Sequence, residues 1–378
     1  MILLNLLKKA LAAVMTLITS LSMTFSNSEA KSKKNFTSTI MHKWEVRNRD
    51  FGGTLLFSDS PEYVKDNGIL YSDVVAGDVR LLFYHLNETD FNKRIAVIVE
   101  NVHNQLNTIN ITRGAMSEPS ADFLAVGRST QSEYMKNDFH SSLYMLKGDI
   151  KLLYDDISSY IIKPGQLVYG IYDFYAPHPV KVSVLLYPHT SDPIEFSKSA
   201  KIFPKDEQRL RGTFTKPNRE LTAAKIYDPE KDGIVYIMLA DDVNDLYKTG
   251  IDAVEKDKTK NVGNYGINYM INLNIKKGRK ARICLSPLGG VYTGAMRVIY
   301  NNKSKMILTP ENLPYFGDKT PKEPSSVTKA REEGLSIMTN HTELTELGIY
   351  SGNVSFEYSP PGASNLPVYL IIMPVDNE

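Results

Sequence analysis

The sequence predicts a mainly β protein, arranged as two tandem antiparallel β-sandwich domains with one or two short helices. Two observations carry this. Between residues 44 and 190, apolar residues alternate at period two in short runs bounded by turn residues, and the same pattern resumes after residue 212. Alternation marks a strand with one buried face, and many short strands with frequent turns mark sandwiches or barrels.

The elements follow in chain order. Lys8 and Lys9 precede a charge-free apolar run, Ala10 to Phe25, and Ser28-Glu29-Ala30 presents small residues at the two positions a signal peptidase inspects. Residues 1–30 are therefore expected to be a signal peptide cleaved after Ala30, the run being short for a membrane span. An N-terminal sandwich is expected over 44–192. Gly77 to Asn87 reads as one strand, with Val79, Leu81 and Phe83 on one face, and Arg94 to Asn101 as its hairpin partner. Ser120 to Lys136 breaks the alternation with Phe123, Val126, Thr130 and Tyr134 near helical spacing, and Ser120 is placed to cap that helix. Strands follow at Asp149 to Tyr154, Gln166 to Phe174 and Val180 to Tyr187, with Lys163-Pro164-Gly165 and Ala176-Pro177-His178-Pro179 as turns.

Charged, unpatterned 193–211 reads as a linker, and a C-terminal sandwich is expected over 212–378. Its strands are Gly233 to Leu239, Gly266 to Ile275, Lys280 to Ser286, Tyr292 to Tyr300, Gly348 to Phe356 and Pro367 to Met373; Ser326 to Ser336 reads as a short helix or a loop. Tyr169-Gly170-Ile171 and Tyr265-Gly266-Ile267 form an internal echo that a duplicated sandwich would produce.

Composition excludes several roles. Lysine and arginine number 44 against 43 acidic residues, and removing residues 1–30 leaves 42 of each. A balanced chain without a basic stripe is not patterned for nucleic acid or for anionic membranes. No second long apolar segment follows residue 25, so no membrane span is expected in the mature chain. The single cysteine, Cys284, forbids an intramolecular disulfide and sits in an alternating stretch where a buried inert thiol is expected. An exported chain without disulfides fits a bacterial product.

Catalytic motifs are absent from the sequence. There is no Gly-x-Ser-x-Gly, no His-x-His, no His-Glu-x-x-His and no cysteine pair, so no cofactor is expected. Asp228, Glu230 and Asp232 resemble the opening of a calcium loop, but Leu239 stands where a bidentate Glu closes such a shell, and a polar turn explains them better. Gly289, Gly290 and Gly294 lie between strands, where no helix follows to hold a phosphate. Tyrosine is the one suggestive enrichment, at 22 residues against a single tryptophan. Tyr169, Tyr172 and Tyr175 on one strand, with Tyr265 and Tyr269 on another, are the candidate ligand contacts, since a tyrosine offers a flat apolar face and a polar tip to sugars or peptides.

The segments Leu56 to Glu62, Gly68 to Tyr71, Arg80 to His85, Pro119 to Gly127 and Asn264 to Gly266 together resemble exported Firmicutes proteins that carry the label "copper amine oxidase" through an associated stalk domain. The resemblance implies export and an envelope setting. It does not extend to the oxidase chemistry: that enzyme makes its quinone from Asn-Tyr-Asp/Glu and holds copper with His-x-His, whereas Asn264-Tyr265 is followed here by Gly266.

The expected function is a secreted cell-envelope protein with a non-catalytic binding or surface-structural role. Its partners would be cell-wall polysaccharide, peptidoglycan or another envelope protein. The alternative is a secreted enzyme acting on polysaccharide or peptidoglycan with carboxylates from distant strands. A paired Asp/Glu in an open cleft would favour the enzyme, and exposed tyrosines without such a pair would favour binding.

Overall fold

In the computed structural model, residues 39–136, 139–287, 292–309, 333, 336–338 and 344–375 are described. The expected signal peptide and most of Ser326–Ser336 lie outside them, as do Gly289 and Gly290. In chain order the first strands are β1 (Thr39–Lys43), β2 (Val46–Phe51), β3 (Thr54–Ser58), β4 (Tyr63–Val64), β5 (Gly68–Asn87), β6 (Lys93–Glu100) and β7 (Asn107–Met116). Helix α1 (Phe123–Lys136) precedes β8 (Ser141–Met145), β9 (Ile150–Leu152), β10 (Leu167–Pro188) and short helix α2 (Pro193–Ser197). The second half adds β11 (Arg211–Thr215), β12 (Asn218–Ala223), β13 (Val235–Leu239), β14 (Thr249–Asp252), β15 (Asp257–Lys260), β16 (Asn268–Ile275) and β17 (Ala281–Pro287). It ends with β18 (Ala295–Tyr300), β19 (Lys303–Leu308), β20 (Ser336–Met338), β21 (Thr345–Tyr350), β22 (Gly352–Tyr358) and β23 (Val368–Pro374).

The protein is mainly β, as the alternation predicts, and the strands form three sheets. The first runs β15-β14-β11-β3-β5-β10-β6-β9, with β4, β7 and β8 attached; the second runs β20-β1-β13-β23-β17-β21; the third runs β19-β18-β22-β16-β12-β2. Most pairs are antiparallel, but β1 with β13, β12 with β16, and β3 and β4 with β5 are parallel. Strands from both sides of 193–211 pair in every sheet: β1 with β13, β2 with β12 and β3 with β11. Segment 193–211 is itself tied to the first half, through Phe203 N to Ile69 O at 2.8 Å and Asp59 N to Leu210 O at 3.1 Å.

The expected hairpin of β5 with β6 does not form, because β10 lies between them and pairs with both. The β5–β10 ribbon also folds back on itself. Lys93 exchanges backbone hydrogen bonds with Ile162, just before β10, and is in register with Pro188 at its end. A flat strand of 22 residues would separate those points by about 70 Å. The bend falls where Gly77 takes a φ of 78° on β5 and where Pro177-His178-Pro179 bulge out opposite Ala76 on β10. The segment read as a turn is thus a bulge inside one strand: two prolines without N–H groups cannot continue the ladder.

This folding creates two cores. Val79, Leu81 and Phe83 face one, shared with Leu70, Val97, Ile109 and Val182. Leu82, Tyr84 and Leu86 face the other, shared with β13, β16, β17, β22 and β23. The wall of β5 and β10 is therefore buried on both faces, which is why its sequence is almost continuously apolar.

Helix α1 fastens the halves. Its cap is Asp122, whose Oδ1 accepts from Ala125 N at 3.1 Å, while Ser120 bridges to Leu167 and accepts from Asp122 N. Sequence spacing placed the cap two residues early. Gln131 spans to the second half, accepting from Ala295 N at 2.7 Å and donating to Ala295 O and Ser359 O. The expected strand Gly348–Phe356 is two strands in different sheets, divided at Gly352, whose φ is 75°. The two copies of the Tyr-Gly-Ile echo also differ, the first lying inside β10 and the second in the turn before β16.

Cys284 is buried at 1% exposure, and burial first, then Glu346, pushes its thiol up to about 12. Native protein is expected to resist iodoacetamide, with alkylation only after denaturation. Rapid native labelling would contradict that packing.

Candidate functional site

The site follows from strand alternation. β11, β3, β5 and β10 are neighbours, and their register aligns Phe57 with Leu82 and Tyr84 with Tyr169. Continuing past β3, Leu210, Asp59, Tyr84 and Tyr169 lie in one row facing the second-half core. Around this row is a cavity of about 480 Å³, completed by Glu62, Phe123, Gln208, Tyr265 and residues 362–365. That is within the usual size of a small-molecule pocket.

Asp59 is its most unusual group. It is only 7% exposed, yet its Oδ1 has no hydrogen-bond partner. Burial, then Glu62, then Asp206 push its carboxyl well above the ordinary Asp range, which favours the protonated form. Glu62 is raised as well, by burial and by Asp206. Tyr84 and Tyr169 meet edge to face at 5.9 Å. Burial first, then Asp59 and Glu62, raise the Tyr84 hydroxyl; burial, then Tyr265 and Asp59, raise that of Tyr169. Tyr265 donates its hydroxyl to Ser364 O at 2.9 Å.

The loop bearing both acids is held rigidly. Arg211 Nη1 donates to Ser60 O at 3.3 Å, His85 Nδ1 to Pro61 O at 2.9 Å, and Leu86 N to Glu62 O at 2.8 Å. Asp206 accepts from the Ser60 hydroxyl at 2.7 Å and from Glu62 N at 2.8 Å. His85 is fully buried and lowered to about 4, chiefly by burial; its Nε2 lies 2.9 Å from Ser58 Oγ. With Nδ1–H given to Pro61, Nε2 accepts from Ser58. This Ser–His pair is sealed from solvent and faces away from the cavity, so it is a support for the loop.

Of the candidate tyrosines, Tyr169 and Tyr265 line the cavity. The other three do not. Tyr172 packs in the first-half core, because residues three apart on a strand point to opposite faces. Tyr175 is 43% exposed beyond the cavity, and Tyr269 is buried, donating to Asp245 at 2.7 Å. The calcium candidates are engaged by bases: Asp228 by Lys276, Asp232 by Lys225 and Glu230 by Arg279. A second acidic group, Asp252, Glu255 and Asp257, is likewise bonded to Arg211 and Lys205.

Asp59, Glu62 and Tyr84 were not singled out as ligand contacts from the sequence. The only signal there was the resemblance, whose segments Leu56–Glu62, Arg80–His85, Pro119–Gly127 and Asn264–Gly266 all reach this cavity.

No protein-family model and no curated protein matches the chain. Among solved structures, the Macrobrachium rosenbergii nodavirus aligns at 9% identity over 93% of both chains with a TM-score of 0.12. Vicilin from Solanum lycopersicum (tomato) aligns at 10% identity over 85% of each chain with a TM-score of 0.11. The 7S globulin of Momordica charantia aligns at 8% identity over 90% of this chain and 84% of its own, with a TM-score of 0.12. Scores this low carry no argument.

Proposed function

We propose that the protein is exported and acts at the bacterial cell envelope as a non-catalytic binding protein, and that the cavity at Asp59 holds its ligand, a hydroxyl-bearing unit such as a saccharide residue of a wall polymer. The observation that carries this reading is Asp59 itself. One oxygen of this carboxyl, Oδ1, is buried without a hydrogen-bond partner, which costs a folded protein about 1–3 kcal/mol, and the residue forms part of the cavity lining. Rigid loop anchors and tyrosine rings add the preorganisation and flat apolar faces that sugar binding uses.

One observation favours hydrolysis instead: two carboxyl groups share the site and both have raised proton affinity, Asp59 through burial, Glu62 and Asp206, and Glu62 through burial and Asp206. It is the weaker reading, because both acids come from one four-residue loop. Glycoside hydrolysis places its carboxyl groups on either side of the scissile bond, and the rest of the lining supplies no carboxylate.

Retention of the purified protein on isolated cell walls tests the proposal, with peptidoglycan and soluble wall polymers as competitors. Retention is expected, weakened roughly tenfold in Asp59→Ala, the scale of one lost buried hydrogen bond. Failure to bind any wall fraction would remove the reading. Release of reducing ends that Asp59→Asn abolishes would replace it with the hydrolase.

A further inference from the structure

We propose that the ligand carries a primary ammonium group, as an unacetylated amino sugar does, and that Asp59 is its counter-ion. This rests on the reading that the cavity is the ligand site, and it follows from a charge balance around that cavity.

The lining contains Asp59 and Glu62 but no lysine, arginine or histidine. Asp206 adds a third carboxyl beside them, itself bonded to Ser60 and to the backbone N–H groups of Glu62, Gln208 and Arg209. Arg211, which holds the acid-bearing loop through Ser60, gives its N–H groups to Asp252, Glu255 and three carbonyl groups, so its charge is already matched. His85 is neutral, being committed to Pro61 and Ser58. Among the described residues, the cavity lining thus gathers acids and contains no cationic side chain. A neutral sugar can also hydrogen-bond to a carboxylate, but it does not offset the repulsion between a buried acid and the half-buried acid beside it. An ammonium ion does: it bonds to the carboxylates, in a lining that also holds the rings of Tyr84, Tyr169 and Phe123.

Protons balance in a definite direction. In the empty cavity Asp59 faces Glu62 on its own loop, Asp206, Tyr84, Tyr169 and Tyr265, with Arg211 and His85 behind the loop, surroundings that favour its protonated form. Entry of the ammonium ion favours the carboxylate, so up to one proton leaves to solvent. Affinity therefore rises with pH until the free amine loses its own proton. No covalent bond changes.

Calorimetric titration of the native protein with glucosamine, N-acetylglucosamine and glucose tests this, in two buffers of different ionisation enthalpy and at mildly acidic pH where the amine is charged. Glucosamine is expected to bind at least about tenfold more tightly than N-acetylglucosamine, with a buffer-dependent heat that reports proton release. Asp59→Asn, which keeps shape and removes charge, is expected to abolish both the preference and the buffer dependence; Glu62→Gln is expected to weaken the preference. Equal binding of the neutral sugars without proton release, still sensitive to Asp59→Ala, would overturn the ammonium assignment and leave the cavity as the ligand site. Binding of none of the three would overturn both.

Discussion

Replacing Arg211 with methionine is expected to destabilise the protein by about 3–5 kcal/mol, the range for breaking a buried ion pair by removing one partner. Arg211 and Asp252 are both 0% exposed, and Nε lies 2.9 Å from Oδ2. Methionine keeps much of the apolar volume but leaves Asp252 buried without its ion-pair partner. It also frees the carbonyls of Ser60, Leu70 and Phe203, which come from three separate segments. In thermal unfolding, the midpoint is expected to fall by on the order of 10 °C. Lys136→Met is the contrast, because its partner Glu133 and Lys136 are each about half exposed and such pairs contribute roughly 0–1 kcal/mol. Similar midpoints for the two variants would mean that the Arg211 cluster does not join the halves as described. Since Arg211 also holds Ser60, its loss should loosen the acid-bearing loop and weaken ligand retention with it.

Asp59→Asn is expected to act in the opposite direction and stabilise the empty protein near neutral pH. The sign follows from proton binding. Asp59 has a raised proton affinity when folded and an ordinary one, near pH 3.9, when unfolded. Over the interval between those two values the folded state binds more protons. Stability contributed by the neutral carboxyl is therefore complete at low pH and is lost as pH rises, by up to about 1.4 kcal/mol per pH unit. Asparagine removes that slope. Unfolding midpoints of native and variant protein, compared at acidic and neutral pH, should nearly coincide in acid and separate as pH rises. Parallel curves would mean that Asp59 ionises normally. Gaining stability while losing ligand is the expected mark of a residue kept for binding.

The sequence made the mainly β class legible because alternation is a local property. It read Val79, Leu81 and Phe83 correctly as one face of β5. It could not foresee that Leu82, Tyr84 and Leu86 are also covered, since that requires the ribbon to serve two cores. Connectivity was less legible: nothing near Glu88 tells the chain that β10, about 80 residues on, will enter between β5 and β6. The proline pair at 177 and 179 looks the same to sequence reasoning whether it ends a strand or bulges from one. Tyrosines were the right residue type for the cavity, but only Tyr169 and Tyr265 were placed there. Proximity in sequence does not survive a period of two, which sends Tyr169 and Tyr172 to opposite faces. Asp59 escaped notice because a single acid in Leu56–Glu62 carries no local mark of burial. What makes it unusual is burial in the folded chain first, then Glu62 on its own loop and Asp206 from a distant segment.

The ionisation of Asp59 tests the central claim most directly. Carbon-detected NMR of the side-chain carboxyl groups, titrated with pH and assigned through Asp59→Asn, should find one aspartate that stays protonated well above the ordinary range and becomes ionised when glucosamine is added. An Asp59 signal that titrates with the surface carboxylates, and does not respond to the amine, would contradict the assignment of this cavity as a site built for a cationic ligand.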